Sequence, residues 1–149
     1  MFTIRLGDDN LATQQGKLTT KIYLEIAGRV FPDDRWYDQP IIVLGWWIEN
    51  YLAFASGRAM EALQINSFME GPYTFTLSRA SDAFVILFLR GTPDGEIETM
   101  PRATVPIEAY RTALAEAAER CLVLCDALSI DNRDVTSLRV AVAALKTTD

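Results

Sequence analysis

No histidine occurs anywhere in the 149 residues, and that single absence closes off much catalytic chemistry. Histidine is the side chain that titrates nearest neutrality and the commonest metal ligand. Serine–histidine–acid hydrolysis, cysteine–histidine hydrolysis and histidine-bearing zinc motifs are therefore excluded. The eight glycines are scattered, with neither G-x-G-x-x-G nor G-x-x-x-x-G-K among them, so cradles for nucleotide phosphates lack their signal. Cysteines number two, Cys121 and Cys125. Spaced four apart in a helical pattern, they share one helix face, where a bridge suits disulfide geometry poorly, and both read as reduced core residues. No apolar run reaches transmembrane length, and Met1-Phe-Thr-Ile-Arg lacks a basic stretch followed by an apolar one, so the expectation is a soluble cytoplasmic protein. Bases are outnumbered, 14 Lys and Arg against 20 Asp and Glu, and the net charge of −6 is spread over both halves. With no basic stripe the chain offers nothing to a nucleic-acid backbone; a basic protein partner is compatible. No cofactor or metal is implied.

What the chain has is apolar mass. Half of its residues are hydrophobic, enough for one domain over residues 1–149 to bury about two-thirds of its unfolded surface. All three tryptophans fall in one stretch, Phe31-Pro-Asp-Asp-Arg-Trp36-Tyr-Asp38-Gln-Pro40 running into Ile41-Ile-Val-Leu-Gly-Trp46-Trp47-Ile-Glu-Asn-Tyr51-Leu-Ala-Phe54. At 100° per residue Ile41, Leu44, Ile48, Tyr51, Leu52 and Ala55 form a main stripe, Val43, Trp47 and Phe54 a second, and Ile42, Trp46 and Ala53 a third. This pattern predicts a helix from Ile41 to Ala55 buried on more than one face, with Asp38 as N-cap, Pro40 in the first turn and Gly57 as the C-terminal stop. Removing a tryptophan from water contributes at most about 4–6 kcal/mol, so core packing accounts for Trp46 and Trp47. Trp36, among charges and beside Tyr37, suits the core or an interface anchor equally.

Elsewhere the period of two dominates. Phe2, Ile4 and Leu6 alternate with polar residues, and after a connector from Gly7 to Gly16 the alternation runs unbroken from Leu18 to Val30, one face buried and one wet. Leu63 to Phe68, Tyr73 to Leu77 and Phe84 to Leu89 read as strands, joined by turns at Met69-Glu-Gly-Pro72 and Ser78-Arg-Ala-Ser-Asp82. Both alternating sets of Phe84–Leu89 are apolar, which predicts a central strand covered on both faces. Thr92-Pro-Asp-Gly95 is a tight turn that sends Glu96 to Met100 back as an outer strand. Pro106 opens a long helix over Ile107 to Leu128, where Glu116 and Arg120 stand at i,i+4. Asp131-Asn-Arg-Asp134 offers caps to a last amphipathic helix through Val135, Leu138, Val142 and Leu145.

Carboxylate chemistry is the catalytic class that survives. Asp33, Asp34 and Asp38 converging with Glu49 would make an acid–base or magnesium site. Acids ahead of a helix also complement its positive end, at about 0.3–1 kcal/mol each, and that simpler account is preferred. Asp131-Asn-Arg-Asp134 lacks the glycine and distal glutamate of a calcium loop, which leaves capping.

Trp36-Tyr-Asp38 leading into Val43-Leu-Gly-Trp46-Trp47, then Phe68-Met-Glu-Gly-Pro-Tyr73, resembles a group of small bacterial α+β proteins without an assigned enzymatic activity. The resemblance covers roughly residues 30–90. Some of that group are similar in size and acidity to immunity proteins of toxin systems, and Glu70 stands where an aspartate is expected. The resemblance implies an α+β fold and an immunity-like role, and transfers no functional residue.

The expected architecture is α+β: an antiparallel sheet of five or six strands, a central apolar helix after strand 2, and two C-terminal helices. The expected function is non-catalytic binding of a protein partner, with an immunity-type role against a toxin as its sharpest form. Asp33, Asp34 and Asp38 would steer a basic partner, and Trp36 and Tyr37 would anchor it. The alternatives are a carboxylate enzyme or small-ligand binder using Asp33, Asp34, Asp38 and Glu49, and a homodimer that covers the extra tryptophan stripe.

Overall fold

The structure, a computed structural model, describes residues 1–7, 12–14, 17–57 and 63–148. In chain order the elements are β1 (Phe2–Leu6), β2 (Ala12–Gln14), β3 (Lys17–Ile26), β4 (Arg29–Phe31), β5 (Tyr37–Asp38) and α1 (Pro40–Ala55). Then follow β6 (Leu63–Ser67), β7 (Tyr73–Ala80), β8 (Ala83–Gly91), β9 (Ile97–Pro106), α2 (Ile107–Ala127) and α3 (Arg133–Thr147). The described residues make an α+β arrangement with three helices after or between antiparallel strands.

The strands form two sheets where the sequence suggested one. In the five-stranded sheet β3 is the hub: it pairs antiparallel with β1, β2, β4 and β5, setting Ile4 opposite Leu24, Ala12 opposite Thr19, Phe31 opposite Leu24 and Asp38 opposite Thr20. The second sheet is a four-stranded meander in the order β6-β7-β8-β9. The apolar helix accordingly follows the fifth strand, not the second. The alternation from Leu18 to Val30 hides a hairpin, because Ala27 and Gly28 both take positive φ (51° and 78°) and reverse the chain without breaking the period. Part of the expected connector from Gly7 to Gly16 is β2; residues 8–11 and 15–16 lie outside the described residues. The turn between β7 and β8 narrows to Ser81 and Asp82, with Ala80 paired to Ala83. β9 continues past Met100 to Pro106 by taking a bulge opposite Leu87, between Ile86 and Phe88.

α1 joins the two sheets. Two of its three apolar stripes are buried, through Ile41, Val43, Leu44, Trp47, Ile48 and Tyr51. Pro40 is the first helical residue, Gln39 is the N-cap without a side-chain bond, and Gly57 takes the left-handed φ of a C-terminal stop. The Trp47 ring packs edge-on against Phe68 and Phe75, and its Nε1 donates to the Ser67 carbonyl at 2.8 Å. Asn50 Nδ2 donates to the Ile65 carbonyl at 3.0 Å. Both carbonyls belong to β6, the outermost strand of its sheet, so α1 supplies donors that a further strand would otherwise bring. The third stripe stays at the surface: Trp46 is 41% exposed.

α2 and α3 complete the core. Arg120, which the spacing offered to Glu116, donates instead to the Ile4 carbonyl at 2.8 Å and ties α2 to β1. Asn132 caps α3 by accepting from Val135 N–H at 3.0 Å. Cys121 and Cys125 are free and fully buried. The hydrogen bond to Cys125, and then burial, hold the Cys121 thiol well above its ordinary pKa, as befits an inert core residue. Among the described residues no helix is long and apolar enough to cross a membrane.

The two neighbouring tryptophans of α1 should behave differently. Trp47→Phe removes the donor from a β6 carbonyl and opens space beside Phe68 and Phe75, and should lower the free energy of urea unfolding by about 2–3 kcal/mol. Trp46→Phe should change it by less than about 0.5 kcal/mol. Equal losses would contradict this seating of the helix.

Candidate functional site

The segment from Phe31 to Asp38, in which the sequence places its candidate residues, is held from three sides. Asp33 begins a turn: its Oδ1 accepts from Arg35 N–H at 2.7 Å and its carbonyl from Trp36 N–H at 3.3 Å. The Trp36 carbonyl then accepts from Ile22 N–H at 3.0 Å, which pins the chain to β3 just where β5 begins.

Asp38 carries the third constraint. It is 0% exposed, and its two carboxylate oxygens accept from Trp36 Nε1 at 3.1 Å, Gln39 N–H at 2.8 Å and Glu70 N–H at 3.2 Å. One acid thus joins the loop, the start of α1 and the turn between β6 and β7. A buried carboxylate is tolerated when donors replace its water, and here all three are N–H groups. It precedes the helix by two residues and binds the backbone of the N-cap, so the capping role expected of it becomes a tertiary one.

Trp36 closes the same joint. Its ring stands edge-on to Tyr73, centroids 5.0 Å apart, and to Phe68 at 6.2 Å. Gly71 lies under it: a Cβ there would sit 2.5 Å from Trp36 Cη2, and the backbone φ is +70°. Both facts require glycine, one through space and the other through backbone sterics. Trp36-Tyr-Asp and Phe-Met-Glu-Gly-Pro-Tyr, remote in the chain, are therefore two halves of one contact.

The candidate surface divides accordingly. Asp33, Asp34 and Arg35 are exposed, and Tyr37 is 36% exposed with Lys21 Nζ 6.0 Å above its ring. Trp36 is half-buried and Asp38 is lost to solvent, so neither presents its polar atoms to a partner. Met69, 44% exposed, and Glu70 come up beside them from the β6–β7 turn. The sequence carried a signal for these two in the Met69–Pro72 turn, but gave no sign of which loop that turn would meet.

Glu49 stands elsewhere. Nine residues into α1 it lies about 13 Å along the axis from the helix start, too far to share a ligand with Asp38. Among the described residues no three acid or cysteine side chains come together in a way that could hold a metal. Glu49 instead borders a groove of about 720 Å³ between α1 and α3, lined also by Asn50, Ala53, Ser137, Val140 and Ala144. Trp46 flanks an adjoining depression with Ile42, Asp134 and Ser137.

No protein-family model matches the chain, and no curated protein or solved structure matches it either.

Two glycines with the same backbone conformation give a test of the joint. Gly71→Ala must accommodate both the strained φ and the Trp36 ring, and should cost about 2–4 kcal/mol in thermal or urea unfolding. Gly57→Ala, with φ +72° and open space around the new methyl, should cost only about 1 kcal/mol. A similar loss at both would remove the close Trp36 approach from the account.

Proposed function

We propose that the protein acts by binding another protein, in the manner of an immunity protein that neutralises a toxin, and that its contact surface is the exposed part of the Asp33–Asp38 segment. The observation that carries this reading is the exposure of the Asp33 and Asp34 carboxylates, with Tyr37, on a segment whose backbone is fastened at Trp36 and Asp38. Fastening the segment before a partner arrives lowers the entropy lost on association. The two carboxylates, on a chain of net charge −6, attract a basic surface and raise the encounter rate. Tyr37 supplies a rigid ring at low entropic cost, as interface anchors do.

Trp36 serves this reading as a support from below, in place of the anchor role the sequence offered it. Asp38 likewise acts through the loop it holds. The carboxylate alternative has less support, because Glu49 lies about 13 Å along α1 from the helix start beside Asp38.

Full-length protein used as bait in a lysate of the native bacterium should retain a basic protein that about 0.5 M salt releases. The sharpest expectation for its identity is the product of a neighbouring toxin gene. Asp33→Lys/Asp34→Lys should lose that protein, and Tyr37→Ala should weaken its binding at least about tenfold, with unfolding temperatures close to wild type. Retention of the same proteins by all three baits would overturn the proposed surface.

A further inference from the structure

The β6–β9 sheet has two faces, and the described helices cover one of them. Phe75, Leu77, Phe84, Ile86 and Phe88 point into the core, where they meet Trp47, Phe54, Tyr110 and Phe31. The intervening residues point the other way, and the two helices that pack on this sheet, α1 and α2, do so on its core side. On the central strand these are Val85, Leu87 and Leu89, all half-buried. The register sets Thr76 beside Leu87, Ile65 beside Thr76, and Thr104 beside Val85. Ile65 is 58% exposed. The sequence predicted cover on both faces of β8, and among the described residues of one copy α1 and α2 cover the core face.

The composition of this face is the unusual point. A solvated face of an antiparallel sheet ordinarily carries polar residues opposite its buried set, and on β8 the outward positions are instead Val85, Leu87 and Leu89. Here threonine, serine and aliphatic residues fill it in a chain whose residues are 23% charged. Among the described residues the paired positions bring no charge to it, and Arg102 stands in the bulge of edge strand β9.

We infer that this face is the interface of a homodimer, in which two copies stack their β6–β9 sheets across a two-fold axis. The edges of the sheet favour stacking over strand addition. At β6 the Ile65 and Ser67 carbonyls are already taken by Asn50 and Trp47, and β9 carries Pro101, Pro106 and the bulge. The area is sufficient: four strands about 4.8 Å apart and about eight residues long at about 3.3 Å each cover about 500 Å² per copy, or about 1,000 Å² in all, near the lower bound for a specific interface. The occupant follows from charge. Two chains of net charge −6 repel wherever their carboxylates meet, and this face lets them approach without that cost. A basic partner would find no carboxylate on it to pair with. An isologous contact also places Val85, Leu87 and Leu89 of each copy against the same uncharged surface, in the aligned packing of a β-sandwich.

Sedimentation velocity of the full chain from about 1 to about 200 µM should show a monomer–dimer equilibrium that tightens as salt rises, because screening removes only repulsion. Leu87→Arg should weaken the dimer at least about tenfold. Ile65→Glu, at an exposed position that folding does not depend on, should do the same with an unchanged unfolding temperature, and Trp46→Ala should leave the dimer intact. A monomer at every concentration would overturn the inference. So would a dimer that survives both Leu87→Arg and Ile65→Glu, or one that Trp46→Ala dissolves.

Discussion

A carboxylate sealed from water must find donors inside the protein, and the architecture around the loop follows from where Asp38 finds its own. An unpaired charge in the interior costs several kcal/mol, so the segments that supply its N–H groups are held together as firmly as that penalty is large. The indole of Trp36, the amide of Gln39 and the amide of Glu70 come from a loop, a helix start and a turn of the other sheet. Satisfying one acid therefore places the head of α1 against the β6–β7 turn. It also turns Trp36 inward, where only glycine fits beneath the ring.

From that joint an aromatic seam runs through the core. Phe68 meets Phe31, Trp36, Trp47 and Phe75 edge-on, and further along Phe84 meets Tyr51, Phe54 and Tyr110 edge-on, with Phe2 tilted against Tyr110. The seam takes residues from both sheets and from α1 and α2, so it bonds elements that share no backbone hydrogen bonds. Edge-to-face pairs contribute roughly 0.5–1.5 kcal/mol each beyond the area they bury. The packing is directional, which helps to explain how two small sheets keep one relative position. The same arrangement leaves the surface carboxylates Asp33 and Asp34 on a braced segment, and sets α1 and α2 on one face of the second sheet.

Much of the local structure was legible in the sequence. The three apolar stripes placed α1 correctly, the proline at 106 marked the start of α2 to within a residue, and Asn132 was among the capping candidates of α3. The hairpin at Thr92–Gly95 lay where turn chemistry put it, and the turn expected over Ser78–Asp82 kept only its last two residues, Ser81 and Asp82. The errors have a common cause. Pattern reports that a residue has an apolar face, and not what will lie against it. Trp46 and Trp47 are chemically alike and adjacent, yet only Trp47 reaches β6. Trp36 suited the core or an anchor equally while only its charged neighbours in the chain were known, and its neighbours in space are Phe68, Gly71 and Tyr73. Asp38 looked like a cap because a helix follows it.

The residue order by itself determined the α+β class, the positions of the helices and most strands, and the exclusion of histidine-based chemistry, because these depend on side-chain type and on periods of 2 and 3.6 within short windows. The tertiary structure alone decided that the strands divide into two sheets, that Gly71 must yield to Trp36, which two of the five candidate residues turn inward, and which face of β8 the helices cover. Those outcomes rest on contacts between residues tens of positions apart. Their energies depend on distance and burial, which only the folded chain defines.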